Sequence, residues 1–242
     1  MKQISIWVTF LSVIAAFAGG FWLANYLNRS EITSLRSSGE QSRSDLEETN
    51  RSTQELTLSN AEIDTKLKEA EQNAGNFSFQ KGLGLGLYRY GAMRQDKAII
   101  EKAVPVIERA NALDPSDVDV LVGLGNAYFD MGYFGKENKD FETARTYYAK
   151  ALVKRPSDVE IITDLGLTFY LQQPPKYDEA LAEFERALTI EPKHEKTLDF
   201  TIRTLSSLGK DTKEYVERLR SINPNSAVLN DPTAQRTTGA ER

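Results

Sequence analysis

Cysteine is absent from this chain of 242 residues, which excludes disulfides, thiolate nucleophiles and cysteine-based zinc sites. Histidine occurs once, as His194, and a lone histidine argues against both a histidine-rich metal centre and a Ser-His-Asp triad. A strongly basic patch is also missing: the formal net charge is −5 and lysine and arginine are dispersed, which argues against a nucleic-acid surface. There is no G-x-x-x-x-G-K-[ST] segment. "GLGLG", residues 82–86, lacks the third glycine of a dinucleotide fingerprint, since position 87 is leucine. "DPSDVDV", residues 114–120, has calcium-like acidic spacing but no glycine at its sixth place, so it is read as a helix cap. With nucleophiles, metal ligands and phosphate loops missing, no enzymatic activity, cofactor or metal is expected.

What is present begins with an apolar run. Ile4 to Leu27 is 24 residues without a charge. As a helix rising ~1.5 Å per residue it would reach about 36 Å, enough to cross a hydrocarbon core of about 30 Å. Trp7, Trp22 and Tyr26 lie toward its ends, where amphipathic rings favour the interface. Ala16-Phe17-Ala18 offers a cleaved signal peptide as the rival reading, but the apolar run continues past it. Residues 1–27 are therefore expected to be a single transmembrane signal-anchor. Orientation has two readings. Arg29, Arg36 and Arg43 after the run would hold the rest in the cytoplasm by the positive-charge rule. A short Lys2-bearing tail before a long apolar run has the form of a bacterial signal-anchor, which puts the rest on the periplasmic side of the inner membrane. The second is the expectation carried forward.

Residues 28–76 hold ten acidic and six basic residues and no proline. One heptad register gathers Ile32, Leu35, Leu46, Leu56, Ile63, Leu67 and Ala70, but Gly39, Ser42, Thr49, Thr53 and Asn60 interrupt its seam. A weak coiled coil pairing two chains and a solvated or disordered tether are both open. Either separates the next domain from the membrane.

From residue 77 the chain repeats itself. Gly84, Gly125 and Gly166 follow leucine each time and lie 41 residues apart. Downstream come paired alanines: Ala103 and Ala110, Ala144 and Ala151, Ala180 and Ala187. Between each pair stands a bulky residue, Ile107, Tyr148 or Phe184, and each unit closes at Pro115, Pro156 or Pro192. The spacing is helical, with proline between units, so each unit predicts two helices and a turn. Glycine or alanine is needed where the two helices cross, and the bulky residue fills the space beside it. Units one and two exceed the third in length. Their extra residues either form loops such as "YFGKENK", residues 133–139, or lengthen the helices.

This pattern resembles the tetratricopeptide repeat (TPR) family, with "YDEALAEFERALTIEP" and "FETARTYYAKALVKRP" the closest stretches. The resemblance covers residues 77–224 as three units and a degenerate fourth, and it implies an all-α superhelix of helix pairs. Residues 225–242, with one valine and one leucine to bury, are expected to be a disordered tail. The family binds partner segments in a concave groove lined by the first helix of each unit. Carried over by motif, the groove positions are Lys81 and Tyr88, Asn126 and Phe129, Thr163 and Tyr170, and Asp199 and Arg203. Asp164 and Asp199 weaken any comparison with the family's carboxylate-binding clamp. Leu124, Tyr128 and Phe169, one helical position away, are expected to carry packing instead. The expected role is a membrane-tethered adaptor for a protein or peptide segment. Envelope assembly, secretion and cytochrome c maturation are the settings the resemblance implies. The alternative is a structural subunit docked permanently in a larger membrane complex.

Overall fold

The computed structural model describes residues 58–231. The apolar run of residues 4–27, most of the stalk and residues 232–242 lie outside the described residues, so the anchor and its orientation are not addressed by it. Among the described residues every regular element is helical. No helix among them is long and apolar enough to cross a membrane.

The chain divides after Gln72 into two compact units. The first contributes one described helix, α1 (Asn60–Gln72), which is the last part of the polar stalk. Ser59 and Glu62 close its start reciprocally: Glu62 Oε2 accepts from the Ser59 N–H at 2.7 Å and the Ser59 Oγ accepts from the Glu62 N–H at 3.3 Å. Ile63, Leu67 and Ala70 form its less exposed face.

The second unit is a run of helix pairs. The first pair is α2 (Phe77–Met93) with α3 (Lys97–Leu113), and the second is α4 (Val118–Gly135) with α5 (Asn138–Lys154). The third is α6 (Val159–Leu171) with α7 (Tyr177–Ile190), and the fourth is α8 (Glu195–Ser207) with α9 (Lys213–Ile222). Local chemistry starts these helices. Asp117 Oδ1 accepts from the Val120 N–H at 2.9 Å and Asp158 Oδ1 from the Ile161 N–H at 3.3 Å, so the "PSDV" segments of two units act as N-caps. Gly209, at φ 68°, supplies the left-handed turn that ends α8. The surplus residues of units one and two lengthen the helices. Helices α2 to α5 have 17 or 18 residues against 13 and 14 in α6 and α7. Tyr133 to Gly135 continue α4, and only Lys136 and Glu137 separate it from α5. Helix α3 runs through Pro105, which is exposed.

The repeated glycines meet the residues the spacing assigns to them. A Cβ added at Gly84 would lie 2.7 Å from Ile107 Cγ1 and 2.9 Å from the Ile107 backbone nitrogen. At Gly125 it would lie 2.5 Å from Tyr148 Cε1, and at Gly166 2.6 Å from Phe184 Cε1. Ile107, Tyr148 and Phe184 are at most 1% exposed, so none has room to retreat. The alanines at Ala103, Ala110, Ala144, Ala151, Ala180 and Ala187 are all fully buried.

The far end corrects the expected tail boundary. Ala227–Asn230 forms a 3-10 turn, and its Val228 and Leu229 are 0% and 5% exposed. They pack with Leu188, Leu198, Ile202, Val216 and Leu219. Among the described residues no further helix pair follows, and Val228 and Leu229 cover the apolar face of the fourth. Gly125→Ala should lower the stability of the repeat domain by about 1–3 kcal/mol through overpacking against Tyr148. An unchanged melting temperature in circular dichroism would refute that contact.

Candidate partner-binding groove

The first helices of successive pairs touch: α2 packs on α4, α4 on α6, and α6 on α8. Each second helix packs on the first helix of its own pair, and α3, α5 and α7 also pack on the first helix of the next. No contact of that extent joins α3 to α5 or α5 to α7 among the described residues. A row of helices in mutual contact, backed by helices that splay apart, curves toward the row. The concave side therefore belongs to α2, α4, α6 and α8.

The eight expected positions fall into three groups. The aromatic ones keep part of their surface accessible. Tyr88 is half-buried and its O–H donates to Asp130 Oδ2 at 3.0 Å. Phe129 is half-buried and stands edge-on to Phe141 with centroids 5.8 Å apart. Tyr170 lies between Tyr177 and Phe200, at 5.6 Å and 5.4 Å. The charged ones, Lys81, Asp199 and Arg203, are already paired. Lys81 Nζ lies 2.8 Å from Asp117 and 3.0 Å from Asp119, and Arg203 pairs with Asp199. Burial works to lower the Lys81 pKa, yet the two carboxylates together raise it. The remaining two differ. Asn126 is half-buried and its Oδ1 accepts from the Tyr148 hydroxyl at 2.8 Å. Thr163 does not reach the groove surface. It is 0% exposed, donates to the Val159 carbonyl at 2.7 Å, and lies 2.6 Å from the Thr197 hydroxyl of α8.

The expected division between groove aromatics and packing aromatics needs correction as well. Leu124 is fully buried, as expected of packing. Tyr128 and Phe169, however, are half-buried like Phe129 and Tyr170. Tyr128 stacks on Tyr147 at 5.8 Å and donates to Glu108 at 2.8 Å, and the Arg145 guanidinium lies 4.5 Å from the Phe169 ring centre. Phe129 itself packs against two core clusters, one around Tyr148 and one around Phe184. A ring is wide enough to fill the seam between units with one edge and line the groove with the other.

Two further residues, Asp130 and Asp164, complete the middle of this face, with the Tyr148 hydroxyl of α5 buried behind Asn126. Asp130 lies one turn beyond Asn126 on α4, a four-residue spacing that the sequence displays. Asp164 on α6 is 24% exposed and bonds Lys196 Nζ at 2.6 Å. Burial raises its pKa, while Lys196 acts the other way. Burial likewise holds the Tyr88 and Tyr148 hydroxyls protonated, reinforced by the charges of Asp130 and Asp164. For Asp130, burial and the Asp164 charge raise the carboxyl to about 6 against the lowering effect of the Tyr88 hydrogen bond.

A family model for the plant-specific mitochondrial import receptor subunit TOM20 matches residues 56–170. Among solved structures, the crystal structure of MamA is similar with a TM-score of 0.52 and 16% identity, covering 66% of this chain and 83% of that one. A second MamA structure, MSR-1 C2, has a TM-score of 0.48 and 18% identity, with 66% and 92% covered. No curated protein matches the chain. The family match, the first of these structures and the helix pairs agree on a TPR-like helical repeat fold.

Two outcomes follow from the geometry. Phe129→Ala should destabilise the domain by about 1–3 kcal/mol, since the ring contributes to two clusters; a melting temperature equal to wild type would mean the ring only lines the groove. Asp130 binds its proton more tightly folded than unfolded, so its contribution to stability is full below the ordinary value of 3.8 and is lost as pH rises through about 6. Asp130→Asn should therefore stabilise the domain at pH 7.5, by at most about 3 kcal/mol, and hardly at all at pH 4. Melting at the two pH values checks this, and a pH-independent difference would contradict it.

Proposed function

We propose that this protein is a membrane-tethered adaptor that binds a segment of a partner protein along the concave face of its helical repeats. The observation that carries the reading is the unbroken inner row of α2, α4, α6 and α8, along which Tyr88, Phe129 and Tyr170 present half-buried rings beside polar groups. Apolar surface with a few placed polar groups is the composition of a recognition groove. The receptor role in the name of the family matched over residues 56–170 points the same way. The uncharged run of residues 4–27 is the tether, with the repeat domain on the periplasmic side, and the stalk sets the groove away from the bilayer.

The state of the cations argues against capture of a partner's C-terminal carboxylate. Lys81, Lys196 and Arg203 each bond a carboxylate of this chain. Recruiting them would leave Asp117, Asp164 or Asp199 without its partner, at the cost of uncompensated charge in a partly desolvated groove. Aromatic contact and hydrogen bonding to an extended or helical segment fit the face better.

A photoreactive phenylalanine analogue at position 129 or 170 of the full chain in native membranes should crosslink to one defined protein. The same group at Val153, 79% exposed on the second helix α5, should not. Equal crosslinking from both faces, or crosslinking from Val153 alone, would reject the concave groove.

A further inference from the structure

Three cations of the groove helices are paired within the chain. Lys81 answers Asp117 and Asp119, Lys196 answers Asp164, and Arg203 answers Asp199. Asp130 has no such partner among the described residues. Its hydrogen bond comes from the neutral Tyr88 phenol at 3.0 Å. The groups facing it are these: Tyr88 with the neighbouring Arg89 from α2, Tyr148 from α5, and Asp164 from α6. Lys196, His194 and Glu160 act on Asp164 from its other side. The Tyr148 hydroxyl is already donated to Asn126, so it has no proton to offer a carboxylate. Asp130 and Asp164 thus bring two negative charges to the groove beside the half-buried Tyr88 ring, and among the described residues Lys196 bonds Asp164 while no cation bonds Asp130.

We infer that this part of the groove receives a lysine or arginine side chain of the partner segment, its charged head set on Asp130 and its stem against the Tyr88 ring. The inference rests on the groove reading and names the chemistry of its occupant. Charge complementarity carries it. A cationic head would supply the counter-charge Asp130 lacks, and it would do so where water is partly excluded, so the ion pair is stronger than at an open surface. The Tyr88 ring beside the carboxylate adds attraction for an organic cation through its quadrupole and covers its methylene stem. An acidic side chain at the same point would face two carboxylates. A divalent metal is a poorer occupant, because no cluster of three or more acidic or histidine ligands exists among the described residues.

The test uses the full chain in detergent and four capped nonapeptides that differ only at the central residue: lysine, arginine, norleucine or glutamate. At pH 7.5 the lysine and arginine peptides should bind about 10-fold tighter than the norleucine peptide, with the glutamate peptide weakest. In Asp130→Asn the basic peptides should bind no tighter than the norleucine peptide binds to the same variant. Wild type at pH 5, where Asp130 is protonated, should lose the same preference, so the result does not depend on the variant folding. Norleucine binding equal to lysine in wild type, or a basic preference that survives both Asp130→Asn and pH 5, overturns the inference and leaves the groove reading standing. Failure of all four peptides to bind overturns the groove reading together with it.

Discussion

The contact on which the rest of the repeat domain depends is a backbone pressed against a large side chain. Gly84 against Ile107, Gly125 against Tyr148 and Gly166 against Phe184 bring the two helices of each pair so close that even one methyl group would overlap the partner. Buried alanines on the second helix hold the same spacing along its length. Because the three contacts recur at one place in each pair, the pairs have the same internal geometry and stack in one sense. The fourth pair lacks that glycine contact. Ile202 and Leu219 meet within a core of larger side chains, and Val228 and Leu229 close its open end.

That stacking makes the inner row, and the row decides what the side chains can do. Helices that touch in series leave narrow seams between them, and an aromatic ring at a seam both packs and stays accessible. Phe129 shows this most clearly, since it joins the core around Tyr148 to the core around Phe184. Binding and packing therefore share residues here, so a partner that engages these rings also engages the joints between repeats.

Electrostatics then selects among partners. Lys81, Lys196 and Arg203 in the groove are each held by an acidic residue, two of them across units: Lys81 to Asp117 and Asp119, and Lys196 to Asp164. These pairs tie one repeat to the next and withdraw positive charge from the groove. What remains presented is the acidity of Asp130 with its phenolic neighbours, a surface suited to a cation and unsuited to an anion.

The sequence by itself determined the helix pairs, because the information is local: helical spacing of apolar residues, a capping aspartate before a helix, and a glycine and a bulky residue at fixed separation all act within one unit. It also placed Tyr88, Asn126, Phe129 and Tyr170 on the first helices by motif. Tertiary structure decided what local pattern could not. The surplus residues of units one and two can be a loop or two longer helices with the same composition, and the folded chain has the longer helices. Thr163 left the groove because Thr197, 34 residues later, lies against it. Asp130 became distinctive because Lys81 and Lys196 found other carboxylates, leaving it with a phenol from another repeat. Burial and charge balance are sums over side chains distant in sequence, so they exist only once the pairs have stacked.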